Sequence, residues 1–161
     1  MNGAIIHPIP PVFDKNSCIL ILGSFPSVKS RETGFFYGHP QNRFWKVISA
    51  LFGEETPRTI EEKKALLIGN GVALWDVLHS CEIRGSSDAS IKNAVPNDLS
   101  VILGAADIKA IFTNGATAYK YYVRYAQPST GRSAIHLPST SPANAAWSAE
   151  KLLGEWKRII P

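Results

Sequence analysis

The chain has 161 residues, of which 45% are apolar and 19% are charged, a composition typical of folded proteins and not of disordered ones. Seventeen Lys and Arg residues against 13 Asp and Glu give a net charge of +4, a mild excess that suits a polyanionic partner without requiring one. Two cysteines, Cys18 and Cys81, are too few for a four-cysteine iron–sulfur cluster, and no segment resembles a signal peptide or a membrane span, so we expect a cytoplasmic protein without membrane association.

A buried strand and the irregular segment behind it stand out near the start of the chain. Residues 1–17 are rich in proline and should form an extended N-terminal arm, packed on the rest of a single domain that spans residues 1–161. The apolar run Cys18–Leu22 ends at a glycine and is typical of a strand that is buried on both faces. Residues 24–42 lack periodicity, and such a long irregular segment in a compact domain is usually functional.

Helices and strands alternate through the rest of the sequence. The predicted helices are 43–52, 59–68, 97–103, 114–125 and 144–159, the further strands are 72–75, 108–113 and 133–137, and the further loops are 76–96 and 138–142. This alternation predicts an α/β protein, a three-layer α/β/α fold with a central four-stranded parallel sheet. The loops after the first, second and fourth strands should converge at the carboxyl edge of the sheet, where open α/β folds bind ligands.

Two loops carry the candidate functional side chains. The sequence contains no nucleotide-binding glycine motif and no pair of histidines at metal-ligand spacing, so we predict neither a metal nor a cofactor. One remaining loop combines aromatic rings and amides around Tyr37 and Asn42, and the other is the hydroxyl-rich loop 138–142. Rings can stack on a flat base, amides can bond its edge, and hydroxyls can bind phosphate, so a flat, polyanionic ligand is expected.

Four short motifs follow one another along the chain. They are GSFPS at Gly23–Ser27, GFFYGHPQNRFW at Gly34–Trp45, FTNG at Phe112–Gly115 and LPSTSP at Leu137–Pro142. This order resembles the uracil-DNA glycosylase superfamily, and most closely its mismatch-specific uracil and thymine glycosylases, in which a G-[IF]-N-P-G turn precedes a G-F-x-F-A-x-P-x-N-R-F-W segment. The likeness runs from Cys18 to Trp156 and implies the same α/β fold.

Two departures from the common pattern narrow the resemblance. Phe25 stands where many members have a catalytic Asn or Asp, and Leu137 replaces the Asn or His of the second motif, with His136 one position too early. The hypoxanthine-DNA glycosylase branch is similar in both respects, and its essential amide corresponds to Asn42. The resemblance therefore implies a monofunctional DNA-deoxyinosine glycosylase, which removes hypoxanthine from double-stranded DNA, leaves an abasic site and acts as a monomer.

The resemblance also implies roles for individual residues. Asn42 would be catalytic and would hold the attacking water through its amide oxygen, while Tyr37 would stack on the extruded base. The base pocket would contain Gly23, Ser24, Phe25, Phe36, Tyr37, His39 and Asn114. The DNA contacts would come from Pro26, Ser27, Lys29, Pro138, Ser139, Thr140 and Ser141.

Simpler roles remain open for several of these side chains. Asn42 could only cap the helix that follows it, Tyr37 and Phe36 could be core aromatics, and His39 could only fix a turn before its proline. The roles of His136 and Asp88 stay undefined, as do the opposite-base preference and the residue that wedges into the vacated stack. Two other functions also stay open: a uracil or mismatch glycosylase, and a nucleic-acid-binding module of the same fold that has lost catalysis.

Overall fold

The described part of the chain contains seven strands, seven α-helices, a π-helical segment (Tyr122–Ala126) and two 3-10 segments (Asp88–Ser90 and Lys157–Ile159). The computed structural model describes residues 3–161, so the first two residues of the predicted arm lie outside it. The strands are β1 (Ile5–Ile6), β2 (Ile19–Gly23), β3 (Val72–Asp76), β4 (Leu78–Glu82), β5 (Lys92–Pro96), β6 (Ala110–Asn114) and β7 (Ile135–Leu137). The helices are α1 (Val28–Thr33), α2 (Phe44–Leu51), α3 (Ile60–Gly69), α4 (Ser100–Leu103), α5 (Ala116–Tyr121), α6 (Gln127–Thr130) and α7 (Ala149–Trp156). Among residues 3–161, no helix combines the length and the apolar character needed to cross a membrane.

The central sheet has the strand order β3-β2-β6-β7, and every neighbouring pair is parallel. Ile21 in the middle of β2 is in register with Leu74 of β3 and Phe112 of β6. Because all four strands point the same way, their carboxyl ends lie at one edge, together with the loops that follow them. The predicted four-stranded parallel sheet is therefore confirmed.

Successive side chains of β2 enter two different hydrophobic cores. Ile19 and Ile21 belong to one core, and Leu20 and Leu22 to the other, as expected for a strand covered on both faces. The helices contribute Phe44, Ile48, Leu67, Leu152 and Trp156 to the first core and Ile102, Tyr121 and Tyr122 to the second. The two cores separate three layers, which confirms the predicted α/β/α arrangement.

A second, antiparallel sheet of order β1-β4-β5 was not predicted. The prediction of a continuous loop over 76–96 is wrong, because β4 and β5 lie within that segment and β4 pairs with the arm through Ile5 and Ile6. The sequence of β5, KNAVP, has no apolar alternation, and its register with β4 is irregular. Such a strand is specified by its neighbours and not by its own pattern.

Local capping explains where several helices begin. Thr59 accepts a hydrogen bond from the Glu62 backbone N–H, and Glu62 accepts in return from Thr59, so the predicted capping box of α3 is present. Helix α1 was not predicted and lies inside the segment expected to be irregular. Ser27 caps its N-terminus, and Gly34, at φ 78°, ends it in the left-handed conformation. The last helix begins at Ala149 and not near Asn144, because Ser148 is its N-cap.

Candidate active site

A cleft of about 140 Å³ opens at the carboxyl edge of the parallel sheet. Its walls come from the ends of β2, β3 and β6, from the segment before α2, and from the loops that follow β4 and β7. Twelve residues predicted from the sequence line it: Gly23, Ser24, Phe25, Pro26, Ser27, Phe36, Tyr37, Asn42, Asn114, Ser139, Thr140 and Ser141. The structure thus brings the motif-bearing segments together at one site.

Three predicted site residues lie outside the lining of this cleft. The exposed His39 ring accepts a hydrogen bond from the Gln41 N–H at 3.1 Å, within a turn. Lys29 lies exposed on α1, with its Nζ 3.9 Å from the Glu32 carboxylate. Pro138 lines a second cavity beside the first, where His136 and Trp147 are also found.

A chain of side-chain hydrogen bonds joins three of the motifs at the base of the cleft. Asn114 donates from Nδ2 to Thr140 Oγ1 at 3.0 Å, and Thr140 donates from Oγ1 to Asn42 Oδ1 at 2.8 Å. The Thr140 backbone N–H donates back to Asn114 Oδ1 at 3.1 Å. Thr140 is fully buried and Asn114 is 9% exposed, so these bonds form away from solvent and fix the relative positions of the loops.

The two polar atoms of the Asn42 amide have different surroundings. Oδ1 accepts from the Phe44 N–H at 2.9 Å as well as from Thr140, so both of its lone pairs are occupied. The Asn42 side chain therefore does support the start of α2, the simpler role considered from the sequence. Its NH2 group donates to no acceptor among residues 3–161, although the residue lines the cleft. The group left for a ligand is the NH2 donor and not the oxygen.

Tyr37 has an unusual backbone and an unusual hydroxyl. Its φ of 52° is in the left-handed region, which non-glycine residues seldom adopt. Its ring stacks on Phe44, with the centroids 4.2 Å apart. The hydroxyl is buried and completes no hydrogen bond with any described residue. Burial and then the nearby Asp76 carboxylate raise the pKa of Tyr37 well above its ordinary value.

A buried His–Asp pair forms part of the site and was not predicted. His7 Nε2 lies 2.7 Å from Asp76 Oδ2, and the two side chains are only 2% and 5% exposed. Asp76 is the last residue of β3 and lines the cleft. A charged residue at the carboxyl end of an apolar parallel strand is a signal that could have identified Asp76. His7 could not be identified in this way, because it comes from the proline-rich arm.

The loop after β4 closes the cleft from another side. Ser24 donates from Oγ to Asp88 Oδ1 at 3.3 Å, and Ser86 accepts from the Val28 N–H at 2.9 Å. Partial desolvation raises the pKa of Asp88 above its ordinary value, and the hydrogen bond from Ser24 opposes this effect. Asp88 therefore places a carboxylate beside the GSFPS motif at Gly23–Ser27. In this motif Phe25 stands at the position expected to carry an acidic or amide side chain in many members of the family.

Arg43 fixes the loop that follows β7. Its guanidinium donates to the backbone carbonyls of Thr140, Ser141, Asn144 and Trp147, with the Ser141 contact at 2.9 Å. Among the described residues, no carboxylate lies within ion-pairing distance of this guanidinium. The Arg of the N-R-F-W motif therefore acts on the LPSTSP loop, which explains how two distant motifs form one wall.

The protein has an α/β fold with a cleft at the carboxyl edge of its parallel sheet, the place where open α/β folds bind ligands. In a comparison with known protein families, the model of the uracil DNA glycosylase superfamily matches residues 10–159. The chain therefore belongs to that superfamily. The prediction of a DNA glycosylase, an enzyme whose substrate is DNA, is thereby confirmed.

Two relatives and one solved structure illustrate the similarity. The chain is 34% identical over 156 residues to the hypoxanthine DNA glycosylase of Methanosarcina acetivorans. The aligned region covers 94% of this chain and 95% of that protein. It is also 34% identical over 114 residues to the hypoxanthine DNA glycosylase of Methanosarcina barkeri, and that alignment covers 70% of this chain and 72% of the relative. A solution NMR structure from Methanosarcina acetivorans, named provisionally as a uracil DNA glycosylase, is 31% identical and covers 96% of this chain and 99% of that one, with a TM-score of 0.79.

Proposed function

We propose that this protein removes hypoxanthine from double-stranded DNA by hydrolysing the N-glycosidic bond of the extruded nucleotide, leaving an abasic site. The observation that carries the proposal is the single cleft in which Asn42, Asn114 and Thr140 are joined by hydrogen bonds. Two relatives named hypoxanthine DNA glycosylases support hypoxanthine as the base. We also propose that the protein works as a single-domain monomer in the cytoplasm, which agrees with its two free cysteines.

In this proposal the base enters the cleft and lies beside the Tyr37 ring, whose other neighbour is Phe44. The hydroxyl groups of Ser27, Ser139 and Ser141 contact the phosphates. Extrusion costs a few kcal/mol and costs least for a mispaired base, so this step already favours a deaminated base over an intact pair.

Asn42 positions the attacking water through its NH2 group. The amide oxygen, which was expected to hold the water, already accepts two hydrogen bonds. A donor contact fixes the water, whose oxygen bonds to the oxocarbenium-like sugar carbon as the bond from that carbon to the base breaks. The water proton passes to the departing base, so a neutral nucleophile suffices and Asn42 need not act as a base. None of the described residues that line the cleft is a lysine, so no amine is placed to form a Schiff base, and strand cleavage is not expected.

Release of labelled base from three duplexes tests the function. Duplexes that contain inosine, uracil or no lesion are incubated with excess protein, and the released base and the abasic product are quantified. We expect release from the inosine duplex. Release of uracil alone would show that uracil, and not hypoxanthine, is the substrate. Binding without release of any base would support the alternative of a nucleic-acid-binding module that has lost catalysis.

Two substitutions at Asn42 test its role. Asn42→Ala removes both the helix contact and the NH2 group, whereas Asn42→Asp keeps an oxygen for Phe44 and Thr140 and replaces the donor with a second, negatively charged acceptor. We expect both variants to lose about 100-fold or more in single-turnover rate, because a misplaced reactant costs about that much, while affinity for abasic DNA changes little. Asn70→Ala removes an amide from the end of α3, outside the cleft, and is the matched control. A rate for Asn42→Asp at or above that of the unchanged protein would reject the role of the NH2 group.

A further inference from the structure

Two acidic residues, Asp76 and Asp88, line the cleft, and their carboxylates have different surroundings. The Asp76 side chain is 5% exposed and pairs with His7. Asp88 begins a short 3-10 segment in the loop between β4 and β5, and no Lys or Arg among residues 3–161 forms an ion pair with it. Its carboxylate accepts a long hydrogen bond from the uncharged hydroxyl of Ser24, at 3.3 Å. Asp88 therefore brings to the cleft a negative charge that no cation of the described chain neutralises.

Asp88 lies at the rim where the cleft meets the second cavity. Four residues line both spaces: Asp88, Asn114, Ser139 and Ser141. In the proposed function the base lies beside Tyr37, which lines the cleft alone, and the two serines contact the phosphates. The sugar connects the base to the phosphates, so it must lie between them, at the rim that Asp88 shares with both serines. The charge of Asp88 is therefore placed next to the sugar.

An unpaired carboxylate at this rim opposes the binding of DNA. The phosphates are negatively charged, and none of the described residues that line the cleft is Lys or Arg. Partial desolvation raises the pKa of Asp88, which indicates that water screens this carboxylate less than it would in bulk solution. A side chain that weakens the binding of the substrate can still accelerate the reaction if it interacts more strongly with the transition state.

We propose that Asp88 is a catalytic residue that stabilises the positive charge on the sugar while the glycosidic bond breaks. This inference rests on the proposed function and deepens it by naming a second group that acts at the sugar. As the bond between C1′ and N9 breaks, its electron pair leaves with the base and the sugar becomes oxocarbenium-like. The carboxylate faces this charge and remains an anion throughout, because the water proton passes to the departing base. A fixed charge of opposite sign lowers the energy of such a transition state.

The position of Asp88 also accounts for the phenylalanine in the first motif. Phe25 stands where a catalytic Asn or Asp was expected, and its side chain belongs to a hydrophobic core at 8% exposure. Its neighbour Ser24 donates to the Asp88 carboxylate, so a negative charge reaches the first motif from a different loop. Ser24 is a positioning residue in this scheme, because it acts on the sugar only through Asp88.

The binding of two abasic-site analogues tests this charge without any turnover. One duplex contains a neutral tetrahydrofuran residue, and the other contains a pyrrolidine residue, whose protonated nitrogen places a positive charge in the sugar ring. Dissociation constants are measured by fluorescence anisotropy at one salt concentration for the unchanged protein and for Asp88→Asn, in which the amide keeps an oxygen for Ser24. We expect the unchanged protein to prefer the pyrrolidine duplex by about tenfold or more. Asp88→Asn should lose about tenfold of this preference, since a close and partly desolvated charge pair is worth at least that much.

Single-turnover release separates chemistry from binding. Asp88→Asn should slow hypoxanthine release by about 100-fold, a typical loss when one preorganised electrostatic contact is removed. Its affinity for the neutral tetrahydrofuran duplex should stay the same or increase, because the repulsion of the phosphates is removed. A purely structural role would instead lower rate and affinity together. Asp107→Asn removes an exposed carboxylate before β6, at the amino edge of the sheet, and is the matched control that should change neither quantity.

The outcomes distinguish this inference from the proposed function. If the unchanged protein releases no hypoxanthine, the proposed function fails. If it releases hypoxanthine but shows no preference for the pyrrolidine duplex, or if folded Asp88→Asn keeps that preference, the function stands and the role of Asp88 is overturned. Circular dichroism establishes whether the variants fold. Should Asp88→Asn not fold, Ser24→Ala carries the test, because it leaves the charge but removes the bond that holds it, and an unchanged preference there overturns the assignment.

Discussion

Tyr37 combines two features that are unfavourable for stability. Its backbone is in the left-handed region at φ 52°, and its hydroxyl is buried without a partner. Residues held in sparsely populated conformations cost about 1–3 kcal/mol each, and they are concentrated at binding and catalytic sites. Both costs become understandable if the ring and the hydroxyl contact a ligand that the free protein lacks.

The unpartnered hydroxyl predicts opposite effects of Tyr37→Phe on stability and activity. Removal of a buried, unsatisfied group should raise the free energy of unfolding by about 1 kcal/mol, while hypoxanthine release becomes slower. Urea denaturation measures the first effect and single-turnover release the second. Tyr122→Phe is the control, because the Tyr122 hydroxyl donates to the Arg132 carbonyl oxygen at 2.6 Å and its loss should destabilise the protein. Loss of stability in Tyr37→Phe as well would show that the Tyr37 hydroxyl has a partner in solution.

At the scale of elements, one side chain connects α2 to the loop that follows β7. Arg43 is the N-cap of α2 and donates to four backbone carbonyls of that loop. A guanidinium presents five donors in a fixed fork, whereas the lysine ammonium is a compact charge on a flexible stem and cannot reach all four acceptors. The geometry of the loop therefore depends on arginine itself and not only on its charge.

Arg43→Lys should lower the free energy of unfolding by about 2 kcal/mol, since hydrogen bonds to charged groups contribute about 1.5–3 kcal/mol. It should also weaken the binding of abasic DNA, because Ser139 and Ser141 lie in the loop that loses its support. Arg158→Lys, at a half-exposed arginine 3.7 Å from the Glu155 carboxylate, is the matched control and should change stability by less than about 0.5 kcal/mol. Equal effects of the two substitutions would contradict the role assigned to Arg43.

Elements with a clear apolar pattern could be predicted from the sequence, and those without one could not. β2 is buried throughout, β3 is buried at every position except Trp75, and α3 has its capping box in the sequence, so each was predicted within a residue or two. β5 has no apolar alternation and no buried residue, and it is formed only by pairing with β4. Helix α1 has only six residues, too few for a 3.6-residue period to be visible.

At the scale of the whole molecule, the site residues also divide into those that a local sequence pattern predicts and those that it does not. The cleft residues that lie within the motifs were predictable, because the motifs fix their spacing. The His7–Asp76 contact joins residues 69 positions apart through the N-terminal arm, and no local pattern encodes it. The occupied oxygen of Asn42 was equally hidden, because one of its two donors, Thr140, is 98 positions away. Long-range hydrogen bonds thus define the chemistry that local patterns leave open.

The charges of the whole molecule are distributed so that the cleft itself has no cationic side chain. The net charge is +4, yet none of the described residues lining the cleft is Lys or Arg. Nearby arginines are engaged in the protein: Arg43 binds carbonyls, and Arg31 donates to the Gly85 carbonyl oxygen at 2.7 Å. Phosphates would therefore meet mostly neutral donors, which release few counterions compared with lysine or arginine contacts.

This distribution predicts a weak dependence of DNA binding on salt. We expect log K for an abasic duplex to fall against log salt concentration with a slope of about −1 to −3 between about 50 and 200 mM, measured by fluorescence anisotropy. Lys29→Gln should reduce the slope by about 1, because Lys29 is exposed on α1 next to the first motif. Lys109→Gln is the control, since Lys109 precedes β6 and lies at the amino edge of the sheet, opposite the cleft. A slope steeper than about −5 would mean that further cationic residues contact phosphate and that the neutral cleft is only part of the DNA-binding surface.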